Sequence, residues 1–272
     1  VGSPILTPAA ELADPCSTTV DDWKKTLRVH VQGWDQGAAA PSCITTLKSN
    51  TDVVAVRRVR GCTAGTSGCA AATSSGAYLQ VAQCATESGT AATMYNLGVG
   101  TPGTPLHLKD CTTVAPLREY LARTYFISTD NGAGQNIPTL KRKELTGSSG
   151  SLSITETPLV EGIEFLHLVY GIDDTGDGMP DGYGADPNTY TRAGCTTCSA
   201  LNNWMNVVTV QVYLLARNID TSPGYTDTKT YNLGIDASGN AVSVGPFNDA
   251  YRRHVYSSVI RIANPAGRRD TP

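Results

Sequence analysis

The 272 residues leave room for one large or two ordinary domains and for a real core. Acidic residues outnumber basic ones by only 24 to 21, for a net charge of −3 with both signs mixed along the chain. That balance demands no polyanionic partner, and the basic clusters Arg57-Arg58-Val59-Arg60, Lys141-Arg142-Lys143, Arg252-Arg253 and Arg268-Arg269 read as solvated strand faces, so no nucleic acid is expected. Nowhere do eighteen apolar residues run together, which excludes a membrane-spanning helix within this sequence. Thr, Ser, Gly, Ala and Val dominate and only three Phe occur, as suits an extracytoplasmic, turn-rich β protein. The opening Val1-Gly2-Ser3-Pro4, without Met, reads as a processed or truncated product.

Residues 1–50 are mostly irregular. A short helix is expected near residues 18–26, capped by Thr19 with Asp22 three residues on, followed by an alternating stretch over 27–31. A first β-rich half covers 51–145. Residues 52–60 alternate as a strand, 61–76 form a Gly/Ser/Thr loop, 77–83 form a second strand, and 95–108 hold turns and short extended pieces. Residues 118–128 are a third strand, and Asp130-Asn131-Gly132 turns the chain into 137–145 as a hairpin. Gly147-Ser148-Ser149-Gly150 is a flexible break. The second β-rich half, 151–269, begins with a strand over 159–170. Residues 204–217 follow as a strand rather than a helix, because Val207, Val208, Val210 and Val212 are β-branched. A peripheral excursion contains 225–231 and the turn Asp236-Ala237-Ser238-Gly239-Asn240, and a last strand over 251–262 ends at Asn264-Pro265. The expected fold is a single β-rich α+β headgroup of antiparallel sheets with elaborated loops, spanning 1–272.

The most informative stretch lies between the two strands of the second half. Asp173-Asp174-Thr175-Gly176-Asp177-Gly178-Met179-Pro180-Asp181 places oxygen side chains at relative positions one, three, five and nine, with Gly178 at six. This is most of an EF-hand-type calcium loop. Asp173, Thr175, Asp177 and Asp181 would give side-chain oxygens and Met179 its carbonyl. Position twelve is Gly184, so a further ligand would come from Asp174, Asp186, a remote residue or water. Clustered carboxylates repel one another, and a bound Ca2+ relieves that repulsion. Because a strand pattern precedes Asp173, the loop belongs to a strand end rather than to a helix-loop-helix sensor.

Eight cysteines, Cys16, Cys43, Cys62, Cys69, Cys84, Cys111, Cys195 and Cys198, imply disulfides and an oxidising compartment. Eight cysteines allow 105 pairings, so connectivity does not follow from the sequence. Pairing of sequence neighbours is the simplest arrangement: Cys16–Cys43, Cys62–Cys69, Cys84–Cys111 and Cys195–Cys198. Cys195-Thr196-Thr197-Cys198 sits in a loop, which favours a structural disulfide over a redox centre or zinc site. Catalytic constellations are missing. Gly98-Val99-Gly100-Thr101-Pro102-Gly103 matches a dinucleotide fingerprint as a string, but Pro102 and Pro105 oppose the helix it needs. His30, His107, His167 and His254 are scattered and read as packed or surface strand residues, and Glu161 and Glu164 fall on opposite strand faces. The expectation is a non-enzyme.

An ordered series of segments resembles the PilW family of minor type IV pilins. It runs from Ile137-Pro138-Thr139-Leu140-Lys141-Arg142 through Leu159-Val160-Glu161-Gly162-Ile163-Glu164 and Tyr170-Gly171-Ile172-Asp173. It continues through Trp204-Met205-Asn206-Val207-Val208 and Val212-Tyr213-Leu214-Leu215-Ala216-Arg217. It closes on Tyr251-Arg252-Arg253-His254-Val255-Tyr256 and Ile260-Arg261-Ile262-Ala263-Asn264. The likeness covers about residues 135–269 well and 25–130 more loosely. It implies a pilin-like headgroup, related to the GspJ pseudopilin, lacking here the N-terminal pilin helix that anchors such proteins in the inner membrane. It further implies a periplasmic headgroup that later joins the pilus at the cell surface. Partners would be minor pilins of the FimU, PilV and PilX kinds and a tip adhesin, in a complex that primes pilus assembly and supports adhesion and twitching motility. The alternative is a secreted calcium-dependent adhesion or ligand-binding module.

Overall fold

A computed structural model of the chain describes residues 10–263; Asn264-Pro265 and Arg268-Arg269 lie outside the described residues. In chain order the elements are α1 (Val20–Lys25), β1 (Val31–Trp34), β2 (Val53–Val59), β3 (Ala77–Val81), α2 (Ala91–Met94), β4 (Tyr95–Val99), β5 (Arg118–Ser128) and β6 (Thr139–Ser148). Then come β7 (Ser151–Glu161), β8 (Ile163–Ile172), β9 (Gly182–Gly184), α3 (Ala200–Met205), β10 (Val207–Arg217), β11 (Tyr231–Ile235), β12 (Ala241–Val244) and β13 (Arg253–Arg261). The chain is a β-rich α+β protein, as its alternating segments predict.

Its contacts divide into two compact units. The first comprises Val1–His30, Val56–Arg123 and Lys143–Glu156. There β3 pairs antiparallel with β4, Leu79 facing Leu97, and with the start of β5, Leu79 facing Arg118. Trp23 of α1 packs edge-on against Tyr120, with Leu79, Leu97, Leu145 and Leu152 completing the core. Thr19 occupies the cap of α1, but its side chain makes no capping bond; Asp22 instead accepts a hydrogen bond from the Ser17 hydroxyl at 2.6 Å. No helix follows Gly98-Val99-Gly100-Thr101-Pro102-Gly103, which leaves β4 as turns.

The second unit comprises Val31–Ala55, Thr124–Arg142 and Thr157–Pro272. Its main sheet has the order β13-β10-β8-β9, all antiparallel. Every residue of β8 is buried, because the near-continuous apolar run Ile163–Ile172 is covered on both faces. A small hairpin, β11–β12, packs Tyr231 and Leu233 against Phe165 and Leu215.

Three local expectations need correction. The strand expected over 159–170 is broken at Gly162, whose φ of +80° only glycine adopts readily, and a Cβ there would meet the Arg217 carbonyl at 2.6 Å. Trp204 belongs to α3 rather than to the following strand, because Ser199 caps that helix by accepting from the Asn202 amide at 3.3 Å. Gly147-Ser148-Ser149-Gly150 is no flexible break. β6 runs through Ser148, and the left-handed Ser149 and Gly150 turn it directly into β7, a strand whose outer half is exposed.

Candidate functional site

The acidic loop, residues 173–181, closes the β8–β9 hairpin, in which Ile172 faces Gly182. Asp173 is its keystone. Its carboxylate is wholly buried and accepts from the amides of Gly176 at 2.6 Å, Asp177 at 3.2 Å and Gly178 at 2.9 Å. Gly178, at φ +86°, makes the turn that brings those amides inward. At the other end Asp181 accepts from the amides of Asp174 and Thr175 and from the Thr175 hydroxyl, at 2.9 to 3.0 Å. Burial pushes the Asp181 carboxyl up, but the hydrogen bonds from Thr175 and Asp174 outweigh it and hold the group down at about 2. Asp177 is exposed and accepts only from the Met179 amide, at 2.8 Å, so most of its lone-pair capacity faces solvent.

The predicted ligands are therefore brought onto one turn, where the carboxylates of Asp173 and Asp181 are occupied with the loop's own amides and that of Asp177 is largely open. The two supplementary candidates go elsewhere. Asp174 is clamped by Arg192, whose Nε lies 3.0 Å from Asp174 Oδ2 and whose Nη2 also bonds Asp174 and approaches Asp181 at 3.6 Å. Asp186 caps its own turn, accepting from the Asn188 amide at 3.0 Å and side chain at 2.7 Å. Asp174 also lies near the sulfurs of Cys195 and Cys198, but both are joined in a disulfide and neither is a thiolate ligand. The disulfides Cys62–Cys69, Cys84–Cys111 and Cys195–Cys198 are present, and Cys16 and Cys43 are disulfide-bonded as well.

Two polar clusters in the second unit have no sequence signature. In the first, Asp35, Asp52 and His167 bring one ligand atom each to within 4.8 Å of one another. Asp52 is buried just before β2, and its Oδ1 and Oδ2 accept from the amides of Gln36 and Leu168 at 2.8 and 2.7 Å. His167 Nδ1 lies 3.2 Å from Asp52 Oδ2 and Nε2 lies 2.8 Å from the Ile235 carbonyl. Burial opposes the charged imidazolium, yet the hydrogen bond and charge of Asp52 prevail and raise the His167 pKa. Burial, reinforced by the Asp52 charge, pushes the Asp35 carboxyl up to about 6. His167 is thus a packed strand residue, but one with charged partners.

In the second cluster Arg253 is a hub. Its guanidinium contacts Glu164 at 2.5 Å, Asp227 at 2.9 Å and Asp249 at 2.6 Å, and stacks over Phe247. Asp227 also accepts from the Tyr231 hydroxyl at 2.9 Å. This network ties residues 218–252 to the sheet.

No curated protein and no solved structure is significantly similar to this sequence. Residues 124–264 match the family described as type IV pilus-assembly protein W (PilW). The matched region contains β8, β9, β10 and β13 entire, the acidic loop and the Arg253 hub. As that match covers more than half of the chain, the protein belongs to the PilW family of type IV pilus-assembly proteins.

Proposed function

We propose that this chain is the headgroup of a minor pilin, working in the complex that primes type IV pilus assembly and supports adhesion at the tip. The observation that carries the reading is the family match over the complete β13-β10-β8-β9 sheet. A structural role also suits the chemistry. The Asp52–His167 pair has the composition of a catalytic dyad, but His167 Nε2 is spent on a backbone carbonyl and activates no nucleophile. Its partners would be other minor pilins of the FimU, PilV and PilX kinds and a tip adhesin. Its place would be the inner membrane with a periplasmic headgroup, then the pilus surface. Such a life outside the reducing cytosol accords with four disulfides among eight cysteines.

The proposal includes a calcium ion on the acidic loop, held by Asp173, Thr175, Asp177, the Met179 carbonyl and Asp181. Support comes from the hard oxygen donor set, the turn already wound around Asp173, and the open capacity of Asp177. Bound to the native state alone, the ion would stabilise the β8–β9 hairpin by mass action.

The test of the assembly role is deletion of the gene in its native host. Loss of surface pili, restored by the full-length gene, and co-purification of the minor pilins are expected. Unchanged pilus numbers together with no minor-pilin partner would overturn the reading.

A further inference from the structure

We propose that Asp35, Asp52 and His167 form a binding site for one divalent transition-metal cation of the zinc class, separate from the acidic calcium loop. The two ring nitrogens of His167 meet different partners. His167 Nε2 lies 2.8 Å from the Ile235 carbonyl, which only accepts, so Nε2 carries a hydrogen. Nδ1 lies 3.2 Å from a carboxylate oxygen of Asp52, and an ionised carboxylate also only accepts. A positive centre must therefore sit at Nδ1, either a proton or a metal ion.

The surroundings favour the metal. A proton would make one imidazolium against two carboxylates, Asp52 and Asp35, in a site where His167 and Asp52 are almost wholly buried. A dication on a neutral imidazole and two carboxylates is charge-neutral. Asp35 Oδ1 is shielded from solvent and has no hydrogen-bond partner, as a vacant ligand atom would be. That unpartnered oxygen stands with a buried imidazole and a second carboxylate, their ligand atoms all within 4.8 Å of one another. A water in the fourth position would complete a zinc-type shell.

The supporting shell has the form metal sites use. Ligating histidines donate their other ring N–H to a carbonyl or carboxylate, as His167 does to Ile235, and ligating carboxylates are held by hydrogen bonds, as Asp52 is by Gln36 and Leu168. One imidazole with two carboxylates suits zinc, manganese or iron better than calcium. Asp35 is only half-buried, which leaves an entry path on its side. The ion would join the turn after β1, the residue before β2, strand β8 and, through Ile235, the β11–β12 hairpin.

The test is titration of the chelator-treated full chain with Co2+, read by its visible absorption, and displacement by Zn2+. Saturation at one ion per chain is expected. Asp35→Asn, at a half-exposed position that leaves the fold intact by circular dichroism, should weaken binding by at least about 10–100-fold. Asp177→Asn in the acidic loop should leave it unchanged. His167→Gln serves as the second ligand variant. Absence of saturable Co2+ uptake overturns the site, as does uptake that Asp35→Asn leaves intact or that Asp177→Asn abolishes.

Discussion

Replacing Arg253 with Met should cost about 3–5 kcal/mol of stability at pH 7, the scale for orphaning a buried ion-pair partner. The side chain of Arg253 is 1% exposed and meets two buried carboxylates, Glu164 at 8% and Asp227 at 0%, and a third, Asp249, at 36%. Met keeps the packing on Phe247 but supplies no donor. Glu164 retains only Arg217, 3.5 Å away, and Asp227 only the tyrosine hydroxyls and the Lys229 amide. Asp249 returns to water and adds about 0–1 kcal/mol. Asp249→Asn alone should therefore be mild, and Asp227→Asn should be severe. The pH dependence carries the sign. The hydrogen bond from Arg253 holds Asp249 below its ordinary range; burial raises Asp227, but Arg253 and Tyr231 outweigh it. A carboxyl whose folded pKa is depressed contributes stability above its unfolded value, near 4, and loses it as pH falls through the folded value. Wild type and Arg253→Met should thus differ most near neutrality and converge in acid. Urea unfolding by circular dichroism at pH 7 and pH 3 measures both. A penalty below about 1 kcal/mol, or one independent of pH, would refute the reasoning.

Asp177→Asn should abolish the calcium-dependent rise in melting temperature while leaving the melting in chelator unchanged; wild type at a hundredfold excess over Kd gains about 2.7 kcal/mol. Equal losses in both conditions would remove calcium from the loop. Gly33→Ala should cost about 1–3 kcal/mol, because a Cβ there collides with the Tyr170 hydroxyl and touches Trp204. Tyr170→Phe, which removes an unpartnered hydroxyl, should be nearly neutral in chelator and should rescue part of the Gly33→Ala loss in the double variant, since the ring carbon remains 2.9 Å from the new Cβ; unfolding curves of the four proteins will show it. Among the disulfides, removing Cys84–Cys111, which closes 27 residues, should cost about 3–4 kcal/mol, and Cys195–Cys198, which closes 3, about 1–2. The order of the two losses in urea is the check.

What the sequence discloses depends on how far apart the interacting residues lie. The acidic loop was visible because its donors are consecutive and its geometry is local: Asp173 reaches amides three to five residues on. Neighbouring cysteines pair for the same reason. The strong strands were visible through alternation, but β7 was not, since residues 155–161 are exposed on both faces and carry no period-two contrast. Trp204 misled because an apolar side chain fits strand or helix equally, whereas the deciding signal was Ser199, five residues earlier, at the cap.

The polar clusters were invisible for the opposite reason. Asp52 bonds a backbone amide 116 residues away, and Arg253 bonds Glu164 across 89. No local pattern encodes such pairs, and β8 itself reads as an apolar run. Yet Glu164 and His167 are the charged positions of that strand, three apart and so on opposite faces. Each is satisfied by segments from elsewhere in the chain, Arg253 with residues 227–249 in one case, Asp52 and the Ile235 carbonyl in the other. Apolar contacts around β8 would tolerate a shifted or slipped loop at modest cost. A buried charge without its partner would not. The two polar positions therefore fix where the loops of the second unit lie against the sheet, and loops held in place are what a headgroup needs if they are to present a constant surface to neighbouring subunits.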